Sequence, residues 1–115
     1  MVSRCEREAR TVTGFRDQNE WTVHARECFG TTRLTSFVCE CGDRACTQTI
    51  ELTRPEYESV RSASTCFAVA LDHENPESEI VIRECARYAV VTAVEPFAIS
   101  ISRETDRRSL SGGQA

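Results

Sequence analysis

Three cysteines and one histidine are the residues of this chain whose types and spacing can do chemistry. Cys39-Glu40-Cys41-Gly42 sets two thiols one residue apart, Cys46 returns a third, and His73 stands alone downstream. Three sulfurs and one imidazole nitrogen are the donor set of a tetrahedral zinc site. Thiolates are the binding form, and the metal itself enforces their deprotonation. The spacing predicts a tight turn in which Gly42 supplies backbone freedom, with Cys39, Cys41, Cys46 and His73 as zinc ligands. Cys66 and Asp72 are the replacements should His73 not bind, and Cys85 falls in a different turn.

A catalytic zinc keeps a position open for water and a general base nearby. Four protein ligands close the site, so the reading is a structural metal without catalysis. Glu40 and Glu74 are the two acids placed to act as a base, and both read as solvated carboxylates. Oxidation of zinc thiolates to a disulfide would make the same cluster a redox or metal sensor, which is the alternative function. Cys5, Cys28, Cys66 and Cys85 read as small apolar side chains or surface residues.

Composition bounds the rest. The chain has 115 residues, 40% hydrophobic and 28% charged, enough apolar content for a core and too much for global disorder. No apolar run is long enough to cross a bilayer, and Met1 to Arg10 is polar, so the chain reads as cytoplasmic. In that reducing compartment, seven cysteines point to metal or redox chemistry ahead of disulfides. The net charge is −4, and acids interleave with the arginines of the first 17 residues. Nucleic-acid binding is therefore the third reading and is not expected.

The elements that must position the ligands can be read in outline. Residues 1–13 read as a flexible leader. Phe15 to Phe29 has helical spacing, with Trp21, Ala25, Cys28 and Phe29 on one face and Gly30 as its stop. Ser36 to Glu40 and Thr47 to Thr53 read as the two strands of a hairpin closed by the metal turn. Thr53-Arg54-Pro55-Glu56 is a capping box opening a helix to about Ser62, with Tyr57 and Val60 inward. Thr65 to Leu71 is strand-like, with Phe67, Val69 and Leu71 on one face. Glu79–Glu84 and Tyr88–Val94 read as a second hairpin, with a short helix over 76–84 as the competing assignment. The alternation Phe97, Ile99, Ile101 is followed by a polar end, and 96–115 reads as a mostly disordered tail.

Phe37-Val38-Cys39-Glu40-Cys41-Gly42, then Cys46, Ile50-Glu51-Leu52-Thr53 and Glu56-Tyr57-Glu58-Ser59-Val60-Arg61 resemble an uncharacterised actinobacterial small-protein family. Its pattern is an F-x-C-E-C-G turn, an I-x-L-T strand, an E-Y-x-x-V-R helix and a downstream histidine, where His73 stands. Asn19-Glu20, Pro76-Glu77 and Tyr88-Ala89-Val90-Val91 are also similar. The resemblance covers roughly residues 14 to 95 and departs at Trp21 and in the tail. It implies a compact α+β domain and brings no activity with it.

The expectation is thus an α+β fold: an N-terminal helix, a zinc-closed β-hairpin, a second helix, then a small antiparallel set of strands. Residues 14–95 form the single zinc-binding domain. The expected function is a cytoplasmic, zinc-stabilised interaction or regulatory module. Its expected partner is another protein, met through the N-terminal helix near Trp21, with no membrane involved.

Overall fold

A computed structural model describes residues 3–25 and 32–108, and the fold is α+β as expected. Helix α1 spans Arg4–Ala25. Strands β1 (Thr35–Val38) and β2 (Thr49–Leu52) form an antiparallel hairpin that runs from Thr35 opposite Leu52 to Val38 opposite Thr49. Helix α2 (Arg54–Val60) follows, then β3 (Cys66–Val69), β4 (Glu79–Glu84), β5 (Ala89–Ala93) and helix α3 (Pro96–Glu104). The second sheet is antiparallel in the order β3-β5-β4. β4 is a strand, so the competing helix over 76–84 does not form.

The capping box is present in full. The Glu56 amide donates to the Thr53 hydroxyl at 3.3 Å, and the Thr53 amide donates to the Glu56 carboxylate at 2.8 Å. The two interactions satisfy amides that the first helical turn leaves without partners. Tyr57 and Val60 point inward as expected, and Tyr57 stacks on Phe37 of the hairpin with ring centroids 4.6 Å apart. Leu52, Ala68 and Val90 complete the core between the hairpin and one face of the second sheet. Phe67, Val69, Ala89 and Val91 line the other face, against Val12 of α1 and the cysteines of the turn.

Both ends of the chain differ from expectation. The leader 1–13 is helical from Arg4, because Ser3 caps it: the Glu6 amide donates to the Ser3 hydroxyl at 3.1 Å. The tail 96–115 is not mostly disordered over its described part. Glu95 caps α3 through the Ala98 amide at 2.8 Å, and Pro96 opens the helix. Ala98 and Ile101 pack on Ala9 of α1 and Ala93 of β5, and small residues let the helices approach closely. The alternation at Phe97, Ile99 and Ile101 is thus a helical sequence, with Phe97 exposed and Ile101 buried.

α1 also presents a different face from the one expected. Its buried residues are Ala9, Val12, Thr13, Arg16, Asn19, Glu20 and Val23, while Trp21 is 77% exposed and Ala25 is exposed. Cys28 and Phe29 lie outside the described residues. The inward face follows helical spacing, but four of its side chains are polar and each has a built partner. A search for apolar periodicity passes over such a face. Leu71 leaves the β3 face as well: the strand ends at Val69 and Leu71 lies exposed in the following turn.

Candidate metal centre

Separate local devices deliver the ligands. The hairpin ladder runs one step past β1, where the Cys39 amide donates to the Gln48 carbonyl at 3.1 Å. The chain then crosses to the second sheet, and the Glu40 amide donates to the Ala68 carbonyl at 2.9 Å. Alternate residues of extended backbone face the same way. Cys39 and Cys41 therefore share one side while Glu40 turns to the other. Cys46 ends a turn in which its amide donates to the Asp43 carbonyl at 2.9 Å and the Ala45 amide to the Asp43 carboxylate at 2.9 Å. His73 closes the turn after β3, its amide donating to the Ala70 carbonyl at 3.0 Å. That turn places Asp72 at φ 68°, a left-handed conformation that aspartate tolerates better than most residues.

The four ligand atoms converge, all within 4.8 Å of one another, and form a group that can hold a metal ion. His73 presents Nδ1, 3.5 Å from the Cys39 sulfur and 3.6 Å from the Cys46 sulfur. A tetrahedral ion with metal–sulfur bonds of about 2.3 Å and a metal–nitrogen bond of about 2.0 Å has sulfur–nitrogen edges of about 3.5 Å. The two observed sulfur–nitrogen separations are close to those edges. Cys39 and Cys41 are buried at 1% and 3% exposure, whereas Cys46 and His73 are half-buried, so the cluster has a protein side and a solvent side. The Ala70 amide donates to the Cys39 sulfur at 3.2 Å, a contact that stabilises a thiolate.

Without a metal the three thiols share protons unevenly. A hydrogen bond with Cys39 draws the Cys41 thiol down to about 5 against the effect of burial. The same hydrogen bond, with burial, pushes Cys39 well up, and burial raises Cys46. One sulfur is thus ready as an anion, and a bound ion supplies the charge that deprotonates the others.

Gly42 has a different job from the one its place in the motif suggests. No described glycine has positive φ, so no left-handed turn is needed there. A Cβ on Gly42 would lie 3.2 Å from the Glu8 Cβ and 3.8 Å from the Glu8 Cα. The glycine lets α1 lie directly against the knuckle.

Glu40 is the largest departure at the site. It is not a solvated acid: it is fully buried. Its carboxylate accepts from Asn19 Nδ2 at 2.8 Å, from the Tyr57 hydroxyl at 2.7 Å and from the Ala68 amide at 3.0 Å. Burial raises its pKa, and these three donors work against that rise. Asn19 also brackets Val38, donating to its carbonyl at 2.8 Å and accepting from its amide at 2.9 Å. Glu40 thereby pins the knuckle to α1, α2 and β3 and has no free oxygen for proton transfer. Nothing in the sequence pattern marks Asn19, Glu40 or Tyr57 as positioning residues. Helical spacing is the one signal for Asn19, which falls seven residues from Val12 and four from Val23.

The remaining candidates are elsewhere. Cys66 and Cys85 pack against the core beneath the hairpin, and Asp72 is exposed. All six described cysteines are free thiols. No helix among the described residues is long and apolar enough to cross a membrane. No protein-family model, curated protein or solved structure matches the chain.

Proposed function

We propose that the chain is a zinc-stabilised interaction and regulatory module without catalytic activity, working in the cytoplasm. The observation that carries this reading is the convergence of Cys39, Cys41, Cys46 and His73 within 4.8 Å. Three thiolates and an imidazole suit zinc better than magnesium, calcium or manganese, which prefer oxygen donors. A fourth protein ligand would take the position that a catalytic zinc reserves for water, and the engagement of Glu40 removes one of the two candidate bases. The ion would join the β1–β2 turn to the loop after β3, and its binding free energy would become folding free energy. The partner expected is a protein docking at Trp21 on the outer face of α1, since exposed tryptophan is enriched among residues that anchor interfaces. Membership of the actinobacterial group belongs to the same proposal and is supported by the F-x-C-E-C-G turn and its downstream histidine.

Titration of the purified chain with a chelator, followed by circular dichroism and metal analysis, tests this reading. One zinc per chain, lost together with cooperative structure, is the expected result. A folded, metal-free chain overturns it. A redox or metal sensor is the second reading, favoured by the half-exposed Cys46. It predicts zinc release and a new disulfide at low peroxide, whereas the structural reading predicts retention.

A further inference from the structure

Cys39, Cys41 and Cys46 come from the loop between β1 and β2, and His73 comes alone from the loop after β3. Whatever fixes the second loop against the first therefore decides whether the site closes. His73 stands between two tight turns. The upstream turn begins at Ala70, whose amide rests on the Cys39 sulfur at 3.2 Å, so that end of the arm is tied to the knuckle. The downstream turn is Asn75-Pro76-Glu77-Ser78, closed by the Ser78 amide on the Asn75 carbonyl at 3.1 Å. Asparagine first and proline second are the residues such a turn favours.

Every polar group of Asn75 is engaged. Its side-chain oxygen accepts from the Glu77 amide at 3.1 Å, its own amide donates to the buried Glu79 carboxylate at 2.9 Å, and its carbonyl also accepts from the Glu79 amide at 2.8 Å. Those contacts stay within the loop and the start of β4. The last one leaves it: Asn75 Nδ2 donates to Glu8 Oε1 of α1 at 2.9 Å. Glu8 is also the residue on which the knuckle rests, since a Cβ on Gly42 would lie 3.2 Å from the Glu8 Cβ. Both loops of the metal centre thus take their position from one residue of α1, the knuckle by close packing and the His73 arm by a hydrogen bond. Glu8, Gly42, Asn75 and Glu79 line one small cavity beneath α1. Arg4 pairs with Glu77 along the same seam, but both side chains are more than half exposed, and exposed pairs contribute little.

We propose that Glu8 and Asn75 are positioning residues for the metal centre: their hydrogen bond holds the His73 arm in register with the cysteine knuckle, so that metal affinity is set from the first turns of α1. With the bond broken, the arm stays tied to Cys39 upstream and loses its tie to α1 downstream. The site then falls back towards three sulfurs and an open fourth position. The proposal rests on the zinc reading above and adds a means of loosening that site without touching a ligand.

Zinc affinity of the full chain, measured by competition with a chromogenic chelator, tests it. Asn75→Asp keeps the size of the side chain and turns the Nδ2 donor into an acceptor facing Glu8. It should weaken zinc binding roughly tenfold, the scale of losses at residues that orient a ligand without touching the metal. Cobalt(II) bound in place of zinc reports its donor set through its visible bands, and those of Asn75→Asp should move towards those of His73→Ala. Glu8→Ala breaks the same bond from the α1 side, leaves the turns of the loop intact, and should give the same loss and the same spectral change. Adding Glu8→Gln to Asn75→Asp exchanges donor and acceptor across the pair and should restore most of the affinity. Unchanged zinc affinity in Asn75→Asp and Glu8→Ala overturns the proposal. So does a loss that leaves the cobalt bands unmoved and that Glu8→Gln does not recover, which is general loosening of the fold. An unaltered chain that binds no zinc overturns the metal reading and this proposal with it, and shows itself before any variant is made.

Discussion

Two clusters bring distant parts of this chain together, and they differ in almost every physical respect. The first is the knuckle, where three sulfurs and one imidazole from two loops converge. The second is an ion-pair cluster between the helices. There Arg61 at the end of α2 reaches Glu20 of α1 at 2.7 Å and Asp106 beyond α3 at 2.5 Å. Arg108 continues it, pairing with Glu20 at 2.9 Å and holding both Glu58 carboxylate oxygens, at 2.7 Å and 2.9 Å. Arg16, also buried, donates to the Ser64 and Ser102 carbonyls at 2.7 Å and 2.9 Å. The knuckle uses residue types that seldom gather for any purpose but metal or redox chemistry. The ion-pair cluster uses the commonest charged residues on any surface, and only the fold reveals that they are inside.

The energetics differ as well. Burying charge costs desolvation that pairing only partly offsets. The cluster is also not fully satisfied, since Arg16 Nε and Arg61 Nη1 are buried without a partner. It therefore specifies how the helices dock more than it stabilises them. A metal centre of this donor set contributes to folding outright. Removing the ion should accordingly have the largest effect. Structural zinc is worth roughly 10–16 kcal/mol in small zinc domains, more than the whole stability of an average domain. Cys39→Ser should therefore abolish the cooperative thermal transition, and Cys41→Ser should do the same. A normal melt in either would remove the knuckle from its place as the stronger of the two clusters.

Arg61→Ala comes second. It takes the guanidinium from buried Asp106 and leaves Glu20 with Arg108 alone, and should cost about 3–5 kcal/mol in urea denaturation while leaving metal content unchanged. Acid should loosen the same cluster. Burial raises the Asp106 pKa, but hydrogen bonds from Ser64 and Arg61 win and hold it at about 2, below the ordinary 3.8. A carboxyl held low in the folded state stabilises above its unfolded pKa. That stability is lost as pH falls from about 4 through 2. Asp106→Asn should flatten the low-pH limb of a stability profile.

Legibility from sequence follows the same division. Cys39, Cys41, Cys46 and His73 can be assembled from spacing because three thiols within eight residues are hard to account for by packing alone. The Thr53–Glu56 box marks α2 because capping is local chemistry. The buried face of α1 escapes because Arg16, Asn19 and Glu20 are polar, and their inward placement depends on Ser102, Glu40 and Arg61, at 86, 21 and 41 residues' separation. α3 is obscured by the strand-like alternation of Phe97, Ile99 and Ile101, although Glu95-Pro96 is a regular helix opening. Glu40 is deceptive because a glutamate between two ligands looks exposed until its neighbours are known.

Two smaller effects bear on the same contrast. Glu79, beside the acidic loop, is raised to about 7, chiefly by burial, against a hydrogen bond from the Asn75 amide. A carboxyl raised in the folded state loses stability as pH climbs from its unfolded value of 4.5 through 7. Glu79→Gln should thus stabilise the chain by roughly 3 kcal/mol at pH 8, at about 1.4 kcal/mol per unit, and by nothing measurable at pH 4. Trp21→Ala should be the mildest change, within about 0.5 kcal/mol in denaturation, because the ring is exposed. A large loss there would mean that Trp21 packs in the fold and is not held ready for a partner.

Elemental analysis of the protein, purified without added metal or chelator, bears on the knuckle with the fewest intervening assumptions. One zinc per chain is expected, falling to a small fraction of that in His73→Ala and Cys46→Ser. A folded protein with no stoichiometric metal, or one whose zinc is indifferent to both substitutions, would contradict a zinc-closed knuckle.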